Sequence, residues 1–305
     1  MQSTSHILMI RPAAFGFNEQ TASSNAFQEA NADQNSAQQQ ALKEFDEMVE
    51  MLRSKGVDIT VLKDTEEPAK PDAVFPNNWV SFHETGDVIL YPMYAENRRL
   101  ERREDVIRKL EDKFKVRHII DLGRFELKGQ FLEGTGSMVL DRENKIAYAC
   151  LSPRTAADVL NEFCNYAGYK PVFFNAVDNQ QQAIYHTNVM MCVGSRFAVI
   201  CLESITDTEE HKQVTDNLNA TGKEIVEISL AQLKHFAGNM LEVKSNAEKP
   251  LLVMSEQAYQ SLTDQQKDTL GKYAELLYSN LKTIETNGGG SARCMMAEIH
   301  LPSVD

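Results

Sequence analysis

Asn78-Trp79-Val80-Ser81-Phe82-His83-Glu84-Thr85-Gly86-Asp87-Val88-Ile89-Leu90-Tyr91-Pro92-Met93 is the stretch on which the fold turns. Its two ends, Asn78–Phe82 and Val88–Met93, have strand composition, and Glu84-Thr85-Gly86-Asp87 between them has the composition of a hairpin turn. A charged helical pattern follows from about Asn97 to Phe114, then a β-branched run, Val116–Leu122. The order is strand, strand, helix, strand.

That order recurs along the chain. Ser137–Leu140 and Ile146–Cys150 flank a turn, then a helix runs from about Thr155 to Tyr166 and a strand covers Pro171–Phe174. Val189–Val193 and Phe197–Leu202 meet at Gly194-Ser195, before a helix at Thr208–Asn219 and a strand at Glu224–Ile228. A fourth unit takes Asn239–Val243, Leu251–Met254, a helix Asp264–Ser279 and a strand Thr283–Glu285. Thr263 and Gln266 give that helix capping-box spacing, and Leu270, Tyr273, Ala274 and Leu277 form one face. The remaining pieces are a C-terminal strand, Met295–Leu301, and an N-terminal strand His6–Ile10, helix Ser36–Arg53 and strand Asp58–Leu62. Joined, they make a fifth unit split between the two ends. The expectation is a five-fold pseudosymmetric α/β propeller of ββαβ modules, its fifth module built by both termini, and a single catalytic domain over residues 1–305. The Gln/Asn/Ala-rich tract Asn31–Gln40 reads as a loop without assigned function.

A ring of such units brings equivalent positions together at its axis. Immediately before the first strand of each unit stand Pro76-Asn77-Asn78, Glu133-Gly134-Thr135-Gly136, His186-Thr187-Asn188, Gly238-Asn239 and Gly288 to Cys294. Alone, each is an ordinary turn. In register, they deliver a carboxylate, a histidine, a cysteine and several amides to one place. Cysteine with histidine is a constellation of nucleophilic catalysis. Histidine can serve it as acid and base near neutrality. The run Gly288-Gly289-Gly290 leaves room for close backbone approach before the cysteine.

The totals bound the rest. The 305 residues are 42% hydrophobic and 25% charged, as in globular proteins, with a formal charge of −13 that disfavours nucleic acid as a partner. No apolar run approaches membrane-spanning length, and the start lacks the pattern of a signal peptide. Five cysteines, in no disulfide or zinc spacing, fit a reducing compartment, which makes the cytoplasm the expected location. No nucleotide-phosphate loop or metal-ligand cluster occurs, so neither cofactor nor metal is expected.

With these residues in hand the chain resembles the guanidino-group-modifying, or pentein, superfamily of arginine deiminases, dimethylarginine dimethylaminohydrolases and amidinotransferases. The carriers are Phe75-Pro76-Asn77-Asn78-Trp79, Glu133-Gly134-Thr135-Gly136-Ser137, Pro153-Arg154-Thr155, His186-Thr187-Asn188 and the Gly288-to-Cys294 run. Their wording is most similar to the amidinotransferase-like, citrulline-utilisation hydrolase branch. The resemblance implies Cys294 as nucleophile, His186 as general acid and base, and Glu133 as the acidic partner of histidine and substrate. It implies Arg154 on the substrate α-carboxylate, with Arg98 in a similar role, and backbone N–H groups of the glycine run on an oxyanion. Deiminases place aspartates where this chain has Asn78 and Asn188. A guanidinium has only donors and a charge, whereas a ureido group is neutral and carries one acceptor, which an amide can match. The expected activity is therefore cysteine-dependent hydrolysis of a C–N bond in a ureido or guanidino amino acid, with citrulline going to ornithine, carbon dioxide and ammonia. Arginine deiminase, dimethylarginine hydrolase, amidinotransferase and a non-catalytic binding module stay open as alternatives. Whether the chain forms a homo-oligomer, and what Asn25 and Gln28 do, also stays open.

Overall fold

Hairpins and crossovers supply the units of the structure, a computed structural model that describes residues 1–22, 24–25, 27–29 and 34–304. The strands are β1 His6–Arg11, β2 Asp58–Lys63, β3 Val80–Phe82, β4 Asp87–Leu90, β5 His118–Asp121, β6 Val139–Asp141, β7 Ile146–Cys150 and β8 Lys170–Phe174. They continue as β9 Met191–Val193, β10 Phe197–Ile200, β11 Glu224–Glu227, β12 Leu241–Lys244, β13 Pro250–Ser255, β14 Glu275–Ser279 and β15 Ala297–Glu298. They form three-stranded sheets in the orders β15-β1-β2, β3-β4-β5, β6-β7-β8, β9-β10-β11 and β12-β13-β14. In each, the middle strand pairs antiparallel with one neighbour and parallel with the other. The parallel pair needs a long crossover, and helices supply it.

Local chemistry explains the hairpins and helices. Gly86 takes φ +88 in the β3–β4 turn, where its N–H bonds His83 O. The Asp141 carboxylate accepts from the Asn144 N–H and side-chain amide in the next hairpin. The helix Ala157–Ala167 ends on Gly168 in the left-handed region and buries Val159, Leu160, Phe163 and Cys164 on one face.

The two ends of the chain meet in one sheet. Ile7 pairs with Glu298 and Leu8 with Ala297. Leu8, Val80, Ala297 and Ile299 share one apolar cluster. Gln2 donates to Leu140 O and Val193 O, tying the N-terminus to the sheets of β6 and β9.

Several boundaries differ from the sequence reading. Asn78, Ser137 and Val189 do not open strands; Pro76–Asn78, Gly134–Ser137 and Thr187–Met190 are short helical turns that precede them. The helix expected over Asn97–Phe114 is a 3₁₀ turn Glu96–Glu101 and a helix Glu104–Leu110, with the chain extended at Arg102 and Arg103. The helix expected over Asp264–Ser279 stops at Gly271, and Glu275–Ser279 is β14. Pairing with β13 outweighs the helical spacing of Leu270, Tyr273, Ala274 and Leu277. Thr283–Glu285, read as a strand, lies in the helix Lys282–Gly288, because Glu44 accepts from Thr283 N and Ile284 N at its start. The expected strand Met295–Leu301 narrows to β15. The tract Asn31–Gln40, read as a loop, is helical from Gln34 onward in Gln34–Ser54, and its residues 31–33 lie outside the described residues. Among the described residues no helix is long and apolar enough to cross a membrane.

The capping box at Thr263 is formed, and Gln266 also reaches Glu227 O. Thr263→Ala should lower unfolding stability by about 1 kcal/mol. A urea midpoint equal to the wild type would contradict that role for the cap.

Candidate active site

Three of the short helical turns converge. In the first two, Thr135 Oγ1 donates to Asn77 O at 3.3 Å. Gly134, at φ +47, lies where a Cβ would stand 2.3 Å from Asn77 O. A Cβ on Gly136 would stand 2.5 Å from Asn78 Nδ2 and 2.8 Å from His186 Nδ1. Both positions therefore require glycine, and the missing side chains are what let Asn78 and His186 close on the Glu133 turn.

Glu133 is wholly buried and is the centre of this cluster. Its Oε2 lies 2.8 Å from His186 Nε2, 3.5 Å from Arg154 Nη1 and 3.8 Å from Arg98 Nη1. Its Oε1 accepts the Tyr94 N–H at 3.0 Å. Burial pushes the carboxyl up, but Arg154, the bond to His186 and Arg98 outweigh it and hold Glu133 well below the usual carboxylate range. An ionised Glu133 accepts from His186 Nε2–H, which leaves Nδ1 as the basic nitrogen. Burial lowers His186 to about 4, against the bond and the charge of Glu133, so the imidazole is neutral at pH 7. Tyr185 lies against it, ring centroids 4.6 Å apart.

Both arginines are buried and engaged. Arg98 binds Glu101 through two bonds of 2.9 Å and donates to Asn78 Oδ1 at 2.9 Å, with Asp72 at 3.6 Å. Asp72 accepts from Asn18 at 2.7 Å. Arg154 donates from Nε and Nη2 to Ser24 Oγ and from Nη2 to Thr21 O, while its guanidinium stacks over Tyr185 at 4.9 Å. Their forks thus serve the protein's own groups here. Asn18, Thr21 and Ser24 thus bring the N-terminal part of the chain onto the cluster.

Cys294 is 3% exposed. Its Sγ receives the amide N–H of Asn188 at 3.4 Å and of Asn239 at 3.3 Å. Asn239 Oδ1 accepts the Arg293 N–H at 3.0 Å, so one amide holds both the backbone and the sulfur of the cysteine turn. Gly289 ends the preceding helix at φ +62, where a Cβ would meet Asn25 at 2.3 Å. Its carbonyl accepts from Tyr185 OH at 2.5 Å and from Asn25 Nδ2 at 3.2 Å. Gln28 bonds Asn18 O and accepts from Thr21 Oγ1. The other four thiols are free and buried; burial pushes Cys150, Cys164 and Cys192 up to about 12 and Cys201 up to about 11.

The structure thus gathers Glu133, His186, Asn78, Arg98 and Arg154 in one cluster and Cys294 with Asn188 in another. The two are joined through Tyr185-His186-Thr187-Asn188. Sequence reasoning placed Asn239 in register but gave it no role. It missed Tyr185, Glu101 and Asp72, whose types carry no signal outside their contacts. In these two clusters Asn188 Oδ1, Asn77 Nδ2 and the carboxylate oxygen Asp72 Oδ1 are buried without a hydrogen-bond partner among the described residues, as is Asn287 Oδ1 on the helix before the glycine run.

The family model described as N,N dimethylarginine dimethylhydrolase, eukaryotic, matches residues 11–301. Among solved structures, the N-terminal domain of ArgZ bound covalently to a reaction intermediate is similar over 97% of this chain and 98% of its own, with 17% identity and TM-score 0.77. A substrate-bound form of that domain is described as from an arginine dihydrolase of Cyanobacteria. AgrE bound to L-arginine is similar at TM-score 0.77 and 18% identity over 98% of this chain, which spans 41% of AgrE. A dimethylarginine dimethylaminohydrolase adduct with S-methyl-L-thiocitrulline matches with TM-score 0.65 and 15% identity, over 98% of this chain and 100% of that one. No curated protein sequence matches the chain.

Burial lowers His83, His186 and His300 alike. Their folded pKa values lie below the unfolded one, so the unfolded chain binds more protons between them. Each contribution to stability is present above the unfolded pKa of about 6.5 and is lost as pH falls towards the folded value. Burial raises Glu101 and Glu285 to about 7, which acts in the opposite sense over the same window, so the test compares variants: from pH 7 to pH 4.5 the wild-type melting temperature should change less favourably than that of His186→Gln. An identical slope in that variant would contradict a buried neutral His186.

Proposed function

The chain belongs to the N,N-dimethylarginine dimethylhydrolase family, and on that premise we propose a cysteine hydrolase that cleaves the C–N bond of a ureido amino acid, with citrulline as substrate. The observation that carries the substrate is the pair of unpartnered amide atoms, one acceptor on Asn188 and one donor on Asn77. A ureido group satisfies both, with an N–H and its carbonyl. A guanidinium has no acceptor for Asn77 and adds a third cation beside Arg98 and Arg154.

In this reading Cys294 Sγ attacks the ureido carbon and its proton passes to His186 Nδ1. The C–N bond to the ornithine nitrogen breaks as His186 returns that proton to it. Water, activated by His186, then cleaves the C–S bond of the carbamoyl-cysteine, and the carbamate released falls to carbon dioxide and ammonia. Glu133 orients the imidazole and stabilises its charged form. Asn188 and Asn78 shape the neutral pocket. Arg154 and Arg98 are assigned to the substrate carboxylate, for which Arg98 Nη1 must leave Asn78 Oδ1 and both Nη1 groups turn from Glu133. The five sheets are taken as modules closed around this site, and residues 1–305 as one catalytic domain. A second reading, hydrolysis of arginine, is favoured by the ionised Glu133, the partner a guanidinium needs.

Purified protein given citrulline, arginine and dimethylarginine in turn should release ornithine from citrulline, and Cys294→Ala should abolish it. A higher kcat/KM on arginine would sink the citrulline assignment. Asn78→Asp with Asn188→Asp should cut kcat/KM on citrulline on the order of a hundredfold, since buried charges then face a neutral group.

A further inference from the structure

Glu285 is a buried carboxylate that the proposed reaction does not use. It lies on the helix Lys282–Gly288, directly before the glycine run. Its Oε1 accepts from Ser291 Oγ at 2.5 Å, and its Oε2 accepts from Gln257 Nε2. Its backbone carbonyl accepts the Gly289 N–H at 2.9 Å. Ser291 O in turn accepts the Cys294 N–H at 3.0 Å. Glu285 therefore clasps both ends of the turn that carries the cysteine.

The turn needs such a clasp. Gly288, Gly289 and Gly290 have no side chains to fix them, and glycine loses more conformational freedom on ordering than any other residue. Ser291, fully buried, is the first residue after the run with a polar side chain. Gln257 Oε1 faces His235 Nδ1 at 3.3 Å, so the clasp is continuous with the exposed surface. Burial pushes Glu285 up to about 7 against the bonds from Ser291, Ser255 and Gln257. Its neutral and ionised forms both keep an acceptor for Ser291.

We propose that Glu285 is a positioning residue which, through Ser291, sets where Cys294 Sγ stands against the amides of Asn188 and Asn239. The proposal rests on the reading of Cys294 as nucleophile. Without the clasp the sulfur leaves its place and becomes reachable, so turnover falls while reactivity towards a small alkylating agent rises.

The test compares Glu285→Ala, Ser291→Ala, the double variant and Glu285→Gln with the wild-type chain. Each alanine variant should lose about tenfold in kcat on citrulline, with KM within about twofold. The double variant should lose no more than either single one, because the two act as a unit. Glu285→Gln, which keeps an acceptor for Ser291, should recover most of the loss. A second measurement needs no substrate. Alkylation of Cys294 by iodoacetamide, followed by mass spectrometry, should quicken about tenfold in both alanine variants, by local opening. Melting temperatures within about 5 °C of wild type separate this from general unfolding. If Glu285→Ala does not fold, Ser291→Ala carries the test alone. Losses in kcat that multiply in the double variant, or alkylation unchanged in Ser291→Ala, overturn the proposal. A wild-type chain inactive on citrulline but with quickened alkylation in the variants overturns the substrate reading and supports Glu285.

Discussion

The cluster that holds Asn78, Arg98, Arg154 and His186 follows from one buried negative charge. The Glu133 carboxylate has no access to water, and an isolated carboxylate in that position would take up a proton. Arg154, Arg98, His186 and the Tyr94 N–H keep it ionised. Holding those cations in turn requires Glu101, Asp72, Ser24 and the Thr21 carbonyl around them. The reward is a histidine with a fixed tautomer and a neutral ring. Gly134 and Gly136 matter for the same reason, since any larger residue would push the charge and its partners apart.

The sulfur is treated differently. Among the described residues Cys294 faces no carboxylate within hydrogen-bonding distance; two amides touch it, and both are neutral. A neutral group can therefore come to the sulfur without displacing a counter-charge. The amides also differ. Asn239 fixes the backbone of the cysteine turn, and Asn188 Oδ1 is buried without a partner among the described residues. In the proposed reaction the charged half of the site serves proton transfer and the amide half the choice of substrate.

The three-stranded sheets were legible because hairpin and crossover are written in local terms: a turn such as Glu84 to Asp87, a helix face such as Val159 to Cys164, a β-branched run such as Ile119-Ile120. Legibility failed where a partner far along the chain decides. Glu275–Ser279 fits a helix by spacing, yet pairs with β13. Thr283-Ile284-Glu285 looks like a strand, yet Glu44 caps it into a helix. The register of polar turns led to Cys294, His186 and Glu133, and the helical turns that carry Asn78 and Asn188 left that register intact. The engagement of Arg98 with Glu101 was out of reach, because it depends on a 3₁₀ turn that brings two residues three apart face to face. Asn239 was the recoverable omission, since it stood in the same register as the others.

Mass spectrometry of the intact protein, acid-quenched during turnover of citrulline, tests the account most directly. It predicts one carbamoyl group, carried on Cys294 and absent in Cys294→Ser. Unmodified cysteine during active turnover, or an amidino group acquired from arginine in place of the carbamoyl adduct, would contradict it.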